Sequence, residues 1–440
     1  MRRTAYSNVR LTAVFAVSIT LFGLGSALQG ETLVIEGGTV HPVTGDPYVG
    51  RVVVEDGLIR AAGADIEPPA GARVLDAAGL HVYPGLFDAM SQVGLLEVSA
   101  VSATDDRAEM GTYNPHLRAA TAVHPASAVI PVTRANGITH TMVAPRVDDG
   151  VIAGQGALVH LAGWTIEEMA VDPAVAMIVA WPEIETRSFD FSTFSFRETP
   201  FKEAQEQARE QQDELRDWMD AARHYARAMA SGSDRVERDL KLEALARVLD
   251  GQPMVIQADA KRDIEAAVAF AEEQGVTMIL AGGREAGEVK DLLAEKAIPV
   301  ILGLTQSLPS NEDDPYDAPF RNAGELAAAG VTIAFASGAG GGFGPGGPHV
   351  ARTTPYEAGM AAAYGLAADE ALRAMTLNPA RIFGVEDRLG SIEVGKVANL
   401  IVTDGDPLAI TTRIVALVID GREVSTDNRH RQLYERYRAR

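Results

Sequence analysis

Cysteine is absent from the 440-residue sequence. The chain therefore has no disulfide, no thiolate metal ligand and no cysteine nucleophile, and it lacks the cysteine on which a lipoprotein anchor is built. Basic residues are scarce as well, because 39 Lys and Arg stand against 60 Asp and Glu, for a formal net charge of -21. Such a charge repels phosphate backbones and anionic lipid surfaces, so we expect no nucleic-acid partner.

Long apolar runs are confined to the start of the chain. Three arginines within the first ten residues precede an apolar run over 11–24, and small residues follow at 25–27. This order is typical of a secretory signal peptide over 1–27, which predicts a periplasmic or secreted mature protein. An uncleaved anchor is the alternative, but the run is shorter than the roughly 20 residues that a spanning helix needs. We therefore expect no stable membrane span after cleavage.

The two ends of the chain share a pattern of short strand-like runs separated by turns. The turn pair Asp56-Gly57 lies in the first such region, and Asp420-Gly421 lies in the second. Because the two regions have the same pattern, we predict one small β-sandwich domain composed of 31–79 and 388–424.

Between these ends, over 80–387, short β-branched runs alternate with longer helical stretches. Such alternation indicates βα units around a parallel sheet, and eight units predict an α/β fold with a (β/α)8 TIM-type barrel. The segment 189–251 interrupts the pattern with charged helical sequence, which is either solvated surface or a lid or partner surface. The eight candidate strands are Leu80–Leu86, Thr139–Ala144, Ala157–Leu161, Ala176–Trp181, Pro253–Ala258, Thr277–Ala281, Pro299–Leu302 and Thr332–Ala336.

A glycine-rich run over 340–348 follows the last candidate strand. It lacks the Lys-Ser/Thr pair that completes a phosphate-binding P-loop, so a flexible loop at the active face is the better interpretation. The sequence also has no Gly-x-Ser-x-Gly motif, which leaves serine catalysis unsupported. His349 follows the run and is a candidate catalytic residue, because loops after barrel strands border the mouth.

Two parts of the chain resemble a known family. Pro84–Gln92 is similar to the strand-one motif of the amidohydrolase superfamily, and 371–381 with 390–400 resemble its closing helix and its return to the small domain. The sequence is most similar to the secreted, imidazolonepropionase-like branch. The resemblance implies a hydrolase of carbon–nitrogen, non-peptide bonds that binds Zn²⁺ or a similar divalent metal at the carboxyl ends of the barrel strands.

The strand-one positions that the resemblance assigns to the metal are altered. In the superfamily an Asp is followed by His-x-His, and the corresponding residues here are Asp88, then Met90 and Gln92. A thioether binds hard or borderline divalent ions poorly, and a neutral amide is weak beside an imidazole. Strand one therefore predicts no metal site of the family's kind.

The later strands are altered as well. The strand-eight Asp, which the family uses as metal ligand and general base, corresponds to Gly338, and no histidine lies between His224 and His349. The other corresponding residues are Glu183 or Glu185 for the bridging group of strand four, Gln257 and Asp259 for strand five, and Arg284 for strand six.

These observations lead to two hypotheses for function. The first is a degenerate, catalytically impaired amidohydrolase that holds no metal or other cofactor and acts by binding, by pairing with an active relative, or as a homo-oligomer. The alternative is an active amidohydrolase with a rebuilt site, in which Asp88, Asp259 and Glu183 hold Mg²⁺ or Ca²⁺ through carboxylate oxygens. Asp88, Asp259 and His349 are the candidate catalytic residues.

The altered positions predict a polar pocket. Gln92, Gln257, Asp259 and Arg284 are polar, whereas decay of a buried metal site would favour apolar filling. Arg284 either presents its planar fork to a ligand carboxylate or pairs with Asp259. The first possibility predicts a small anionic or amide-containing ligand.

Overall fold

A computed structural model describes residues 32–146, 150–190, 195–232, 236–339 and 347–440. The predicted signal peptide lies outside these residues and stays a prediction. The strands in these ranges are β1 (Leu33–Val40), β2 (Tyr48–Glu55), β3 (Leu58–Gly63), β4 (Arg73–Asp76), β5 (His81–Pro84), β6 (Leu86–Ser91), β7 (Ile138–Val143), β8 (Ile152–His160), β9 (Ala170–Ala180), β10 (Arg187–Asp190), β11 (Ser195–Glu198), β12 (Met254–Ala258), β13 (Met278–Gly282), β14 (Val300–Leu302), β15 (Ile333–Phe335), β16 (Leu400–Thr403), β17 (Ile414–Ile419) and β18 (Arg422–Glu423).

The helices alternate with the strands over most of the central region. They are α1 (Val129–Arg134), α2 (Ile166–Met169), α3 (Phe201–Ala230), α4 (Leu240–Leu249), α5 (Lys261–Gln274), α6 (Lys290–Glu295), α7 (Ala318–Ala328), α8 (Thr354–Ala363), α9 (Ala368–Ala374), α10 (Leu377–Ile382) and α11 (Arg429–Arg438). Short 3₁₀ turns cover 102–104, 119–121, 286–289 and 348–353. Within the described ranges, no helix is both long and apolar enough to cross a bilayer.

The small domain is one branched sheet built from both chain ends, in the order β18-β17-β16-β5-β1-β2-β3 with β4 also on β1. The expected two layers are therefore hydrogen-bonded as a single sheet. An irregularity at Gly37, whose φ is 79°, lets the start of β1 pair with β4 and its end pair with β5. Because β5 joins this sheet, the domain extends beyond the expected boundary at residue 79.

The barrel sheet has eight strands in the order β6-β7-β8-β9-β12-β13-β14-β15, which confirms the TIM-like fold class. Strand one differs from the expected Leu80–Leu86, because the chain leaves the small sheet at Gly85 and enters the barrel at Leu86. A Cβ at Gly85 would lie 2.2 Å from Oγ1 of Thr139. Only glycine therefore allows β6 to approach β7 so closely at this point.

One barrel strand differs in direction from the expected parallel arrangement. β8 is antiparallel to both β7 and β9, whereas the other neighbouring strands are paired in parallel. A parallel connection needs a crossover of about a dozen residues or more. The segment 144–151 between β7 and β8 is too short for that, so the chain turns back.

Buried side chains form separate cores inside the barrel, around it and within the small domain. The barrel interior is filled by residues from every strand, including Phe87, Met142, Leu158, Ile178 and Val255. In the insertion, α3 buries a stripe that includes Ala208, Leu215 and Met219 and exposes its charged side. The insertion helix is therefore packed on the barrel by one face only.

Candidate functional site at the barrel mouth

Asp88 lies in β6 and is fully buried. Its carboxylate accepts hydrogen bonds from the backbone N–H of Ser337 at 2.9 Å, from the Ser337 hydroxyl at 2.5 Å and from the Thr354 hydroxyl at 3.3 Å. Burial raises the pKa of Asp88 to about 7, although these hydrogen bonds oppose the increase. Asp88 therefore joins the first barrel strand to the segment after the last one.

Gly338 completes this connection. Its N–H donates to the carbonyl oxygen of Met90 at 2.8 Å, and a Cβ on Gly338 would lie 3.0 Å from that oxygen and 3.1 Å from the Cα of Ser91. The backbones approach too closely here for a side chain to fit without a shift. We call Asp88, Ser337, Gly338 and Thr354 the seam.

The side chains of Met90 and Gln257 meet at the carboxyl ends of β6 and β12. Met90 is 2% exposed, and Nε2 of Gln257 lies 4.0 Å from its sulfur. The structure thus brings together two of the residues that the resemblance aligns with family metal ligands. Their nearest atoms are a thioether sulfur and an amide nitrogen.

Asp259 and Arg284 form an ion pair beside these residues. The carboxylate of Asp259 accepts from the backbone N–H and from Nη2 of Arg284, both at 3.2 Å. The Asp259 side chain is 16% exposed and that of Arg284 is 43% exposed. The pairing considered from the sequence is therefore present, and the guanidinium also reaches solvent.

Glu183 follows strand β9 and lies near this pair. Protein atoms around Glu183, followed by the negative charges of Asp263 and Asp259, raise its pKa to about 7. The Asp259 backbone N–H and the Arg284 charge act in the opposite direction. We call Met90, Gln92, Gln257, Asp259 and Arg284 the mouth site, with Glu183 at its edge.

Gln92 and the remaining candidates are at least partly exposed. Gln92 follows β6 and is partly exposed, and Glu185 is exposed in the segment after β9. His349 is exposed in the 3₁₀ turn after the glycine-rich run, of which 340–346 lie outside the described residues. No hydrogen bond joins Asp88, Asp259 and His349 to one another in the described ranges, so these candidates do not form one constellation there.

The donor set of the mouth site does not fit the family's metal. Its members offer a thioether, two amides and one carboxylate that is already paired with Arg284. In the described part of the chain, no group of three His, Cys, Asp or Glu residues is placed to hold an ion. The rebuilt-site hypothesis would need Asp88 beside Asp259, whereas the Asp88 carboxylate is bound within the seam.

Sequence reasoning missed a second buried carboxylate near the mouth. Glu357 in α8 accepts from the Thr305 hydroxyl at 2.6 Å, from the Gln306 backbone N–H at 3.0 Å and from Gln306 Nε2 at 3.2 Å. It therefore fixes the start of the loop after β14. The partners of Glu357 and Asp88 are distant in sequence, so neither motif nor spacing could have identified them.

Comparisons with known proteins agree with this architecture. The Amidohydrolase family profile matches residues 319–426. The amidohydrolase tasK of Hapsidospora irregularis is 26% identical over 399 residues, which are 85% of this chain and 40% of that protein. The chain therefore spans about two fifths of the relative's length. An N-substituted formamide deformylase of Arthrobacter pascens is 48% identical over 63 residues, 14% of this chain and 12% of that protein.

A solved structure extends the similarity to the whole fold. An amidohydrolase from Thermotoga maritima superposes with a TM-score of 0.76 at 28% identity, covering 89% of this chain and 99% of its own. The fold is thus a TIM-like α/β barrel with an additional strand-rich domain, as in that amidohydrolase. Sequence and fold together therefore support membership of the amidohydrolase superfamily.

Proposed function

We propose that this chain is a ligand-binding amidohydrolase homologue that has lost the catalytic metal centre. The observation that carries the proposal is the contact between Met90 and Gln257, whose polar ends lie 4.0 Å apart at two family ligand positions. The scaffold that directs these positions toward each other is retained, whereas the donor atoms are poor ligands for Zn²⁺.

The lost residues would also have supplied the nucleophile. Hydrolysis in the superfamily depends on a metal-activated water and a strand-eight carboxylate, and Gly338 has no side chain to replace that carboxylate. Glu183, at the edge of the mouth site, has a pKa raised to about 7, which suits a general base. Nothing in the mouth site activates a water for it, so the proposal is binding without turnover.

The mouth site suits a small anionic or amide-containing ligand. The guanidinium of Arg284 is 43% exposed, and its charge and planar shape suit a ligand carboxylate that approaches from solvent. Gln92 and Gln257 add neutral donors and acceptors. N-acyl amino acids combine both chemical groups and are the first ligands to test.

The metal content of the purified protein tests whether the catalytic metal centre has been lost. We expect the protein, purified without chelators and equilibrated with Zn²⁺, to retain much less than one ion per chain by elemental analysis. One tightly held transition-metal ion per chain that is lost on Gln257→Ala would overturn the proposal.

Titration calorimetry tests the ligand class. Wild type, Arg284→Ala and Arg284→Lys are compared with a panel of N-acetyl amino acids and small carboxylates, and Arg216→Ala on α3 is the matched control for loss of an ion-paired arginine. We expect Arg284→Ala to lose at least about tenfold in affinity and the control to be unchanged. If no ligand depends on Arg284, the mouth site is a packed remnant.

Export and pairing belong to the same proposal. A binding role in the periplasm or outside the cell is supported by the signal-like segment over 1–27, and sequencing of the mature amino terminus from the native host tests it.

Association with a catalytic relative is proposed by analogy only. Affinity purification from that host, with no amidohydrolase-like protein recovered, would contradict the pairing.

A further inference from the structure

The last helix, α11, carries the opposite charge to the rest of the chain. Residues 429–440 contain five arginines and one glutamate, in a protein whose formal net charge is -21. Asn428 caps the helix through its side chain, and none of the residues in α11 is buried. The helix therefore forms without packing a face into the core, which leaves it available to a partner.

The arginines of α11 divide into two sets. Arg431 donates to the Thr426 hydroxyl at 2.7 Å, and Arg438 pairs with Glu435 at 2.8 Å. By contrast, Arg429 has no hydrogen bond or ion pair within the described ranges, and Arg436 only approaches the Tyr437 ring at 5.9 Å. Residues seven apart share one side of a helix and are about 10.5 Å apart. Arg429 and Arg436 therefore form a basic edge without an acidic partner.

The insertion helix α3 carries the complementary spacing. Glu203, Glu210 and Asp217 follow one another at intervals of seven residues and are exposed. In the described part of the chain, neither Glu210 nor Asp217 takes part in an ion pair, whereas the nearby Arg216 is paired with Asp213 and Glu273. Glu210 and Asp217 are also about 10.5 Å apart along the helix axis, and we call them the acidic edge of α3. The acidic edge and the basic edge therefore match in spacing and are opposite in charge.

We propose that α11 of one copy docks along the acidic edge of α3 in a second copy, with Arg429 and Arg436 facing Glu210 and Asp217. No hydrogen bond or ion pair joins the two helices within one chain among the described residues. The basic edge and the acidic edge are therefore not joined to each other within one chain, and both are available to a second copy. This inference does not depend on the proposed ligand-binding role.

An anionic bilayer fits α11 less well than a second copy does. Interfacial helices bind through a broad apolar face together with their charges, and the apolar residues of α11 are Leu433, Tyr434 and Tyr437 only. The strongly acidic remainder of the chain is repelled by anionic lipid and by a second copy alike. A second copy needs no apolar face, because the exposed acids of its α3 meet the arginines of α11 at matched spacing.

Sedimentation velocity on the full chain tests the docking. We expect association at about 0.05 M NaCl that weakens at about 0.5 M, because exposed charge pairs are screened by salt. The double variants Arg429→Glu/Arg436→Glu and Glu210→Arg/Asp217→Arg should each raise the dissociation constant at least about tenfold. A mixture of these two variants should associate again, because each then offers the other a complementary edge.

Arg431→Glu/Arg438→Glu is the matched control, since it reverses the same number of charges on α11 outside the basic edge. We expect it to associate like wild type. A wild type that stays monomeric at low salt would overturn the proposal, as would a mixture of the two reversed variants that stays monomeric. Binding of wild type to phosphatidylglycerol vesicles that is lost in Arg429→Glu/Arg436→Glu, with the wild-type mass unchanged by salt, would overturn it in favour of lipid.

Discussion

The seam and the mouth site are built from the same short segment of β6 and differ in what they retain. At the seam, Asp88 is fully buried and bound by Ser337 and Thr354. Two residues later Met90 faces Gln257 with no charged group between them. Asp88 therefore forms the structural half of the strand-one motif, and Met90 belongs to the chemical half, on which the proposed loss of the metal depends.

This difference explains why the fold is easy to recognise while the activity is not. Asp88, Ser337 and Gly338 join the first barrel strand to the segment after the last one, whatever reaction takes place at the mouth. Arg284 and Gln92 in the mouth site are less constrained by packing, because their side chains reach solvent. Similarity to amidohydrolases therefore identifies the scaffold, and the chemistry has to be argued from the mouth residues themselves.

Removal of the Asp88 carboxylate should have the largest effect on stability. Asp88→Ala leaves the N–H and the hydroxyl of Ser337 without their acceptor in a buried site, whereas the Thr354 hydroxyl keeps the Ala351 carbonyl at 2.8 Å. We therefore expect the free energy of unfolding at pH 5 to fall by about 3 kcal/mol. Urea denaturation at constant m-value measures this loss. Asp88→Asn keeps an acceptor and should lose less. A loss below about 0.5 kcal/mol for Asp88→Ala would show that the seam is held by backbone contacts alone.

The second-largest change in the free energy of unfolding should come from raising the pH. The pKa of Asp88 is raised from 3.8 to about 7, so the folded protein binds this proton more tightly than the unfolded chain. Its contribution to stability is complete below about pH 4 and is lost as the pH rises through 7. We expect wild type to lose about 2 kcal/mol between pH 5 and pH 7 from this group.

Two variants separate the contributions to that pH dependence. Asp88→Asn should flatten the profile, and Glu183→Gln should flatten it less, because Glu183 is exposed although its pKa is also raised to about 7. Denaturation curves at several pH values compare the three proteins. An Asp88→Asn profile as steep as that of wild type would assign the slope to other groups.

Much of the fold could be predicted from the sequence, and the misses have physical causes. The apolar runs that became β9 and β12 were predicted because buried strands keep their composition wherever they pair. The direction of β8 was not, because strand direction depends on connection length and not on the run itself. The strand-one boundary was displaced because Leu80–Leu86 is apolar on both sides of Gly85.

The candidate site was predicted in part, for a different reason. The position of Gln257 near Met90 was expected from the resemblance, and the ion pair of Asp259 with Arg284 was one of the two alternatives that the sequence left open for Arg284. The donors to Asp88 could not be predicted, because Ser337 and Thr354 lie about 250 residues further along the chain. Contacts over such separations are set by the closed barrel and leave no local pattern.

A side chain at Gly338 should have a moderate effect. Its Cβ would lie 3.0–3.1 Å from backbone atoms of Met90 and Ser91, which cannot rotate away. We therefore expect Gly338→Ala to lower the free energy of unfolding by about 1–2 kcal/mol through overpacking. Gly45→Ala, where the nearest atom to an added Cβ is 3.9 Å away and φ is not positive, is the control without a clash. Equal losses in the two variants would mean that the close approach at the seam is not what excludes a side chain.

The smallest effect on stability is expected in the mouth site itself. The ion pair of Arg284 with Asp259 reaches solvent, with side chains 43% and 16% exposed, and pairs of this kind contribute about 0–1 kcal/mol. Arg284→Ala should therefore change the free energy of unfolding by less than about 1 kcal/mol, although the same variant is expected to weaken ligand binding at least about tenfold. Thermal denaturation with and without an N-acetyl amino acid measures both quantities on one sample. If Arg284→Ala instead destabilises the protein as much as Asp88→Ala does, Arg284 belongs to the structural half of the molecule, and the division between seam and mouth is wrong.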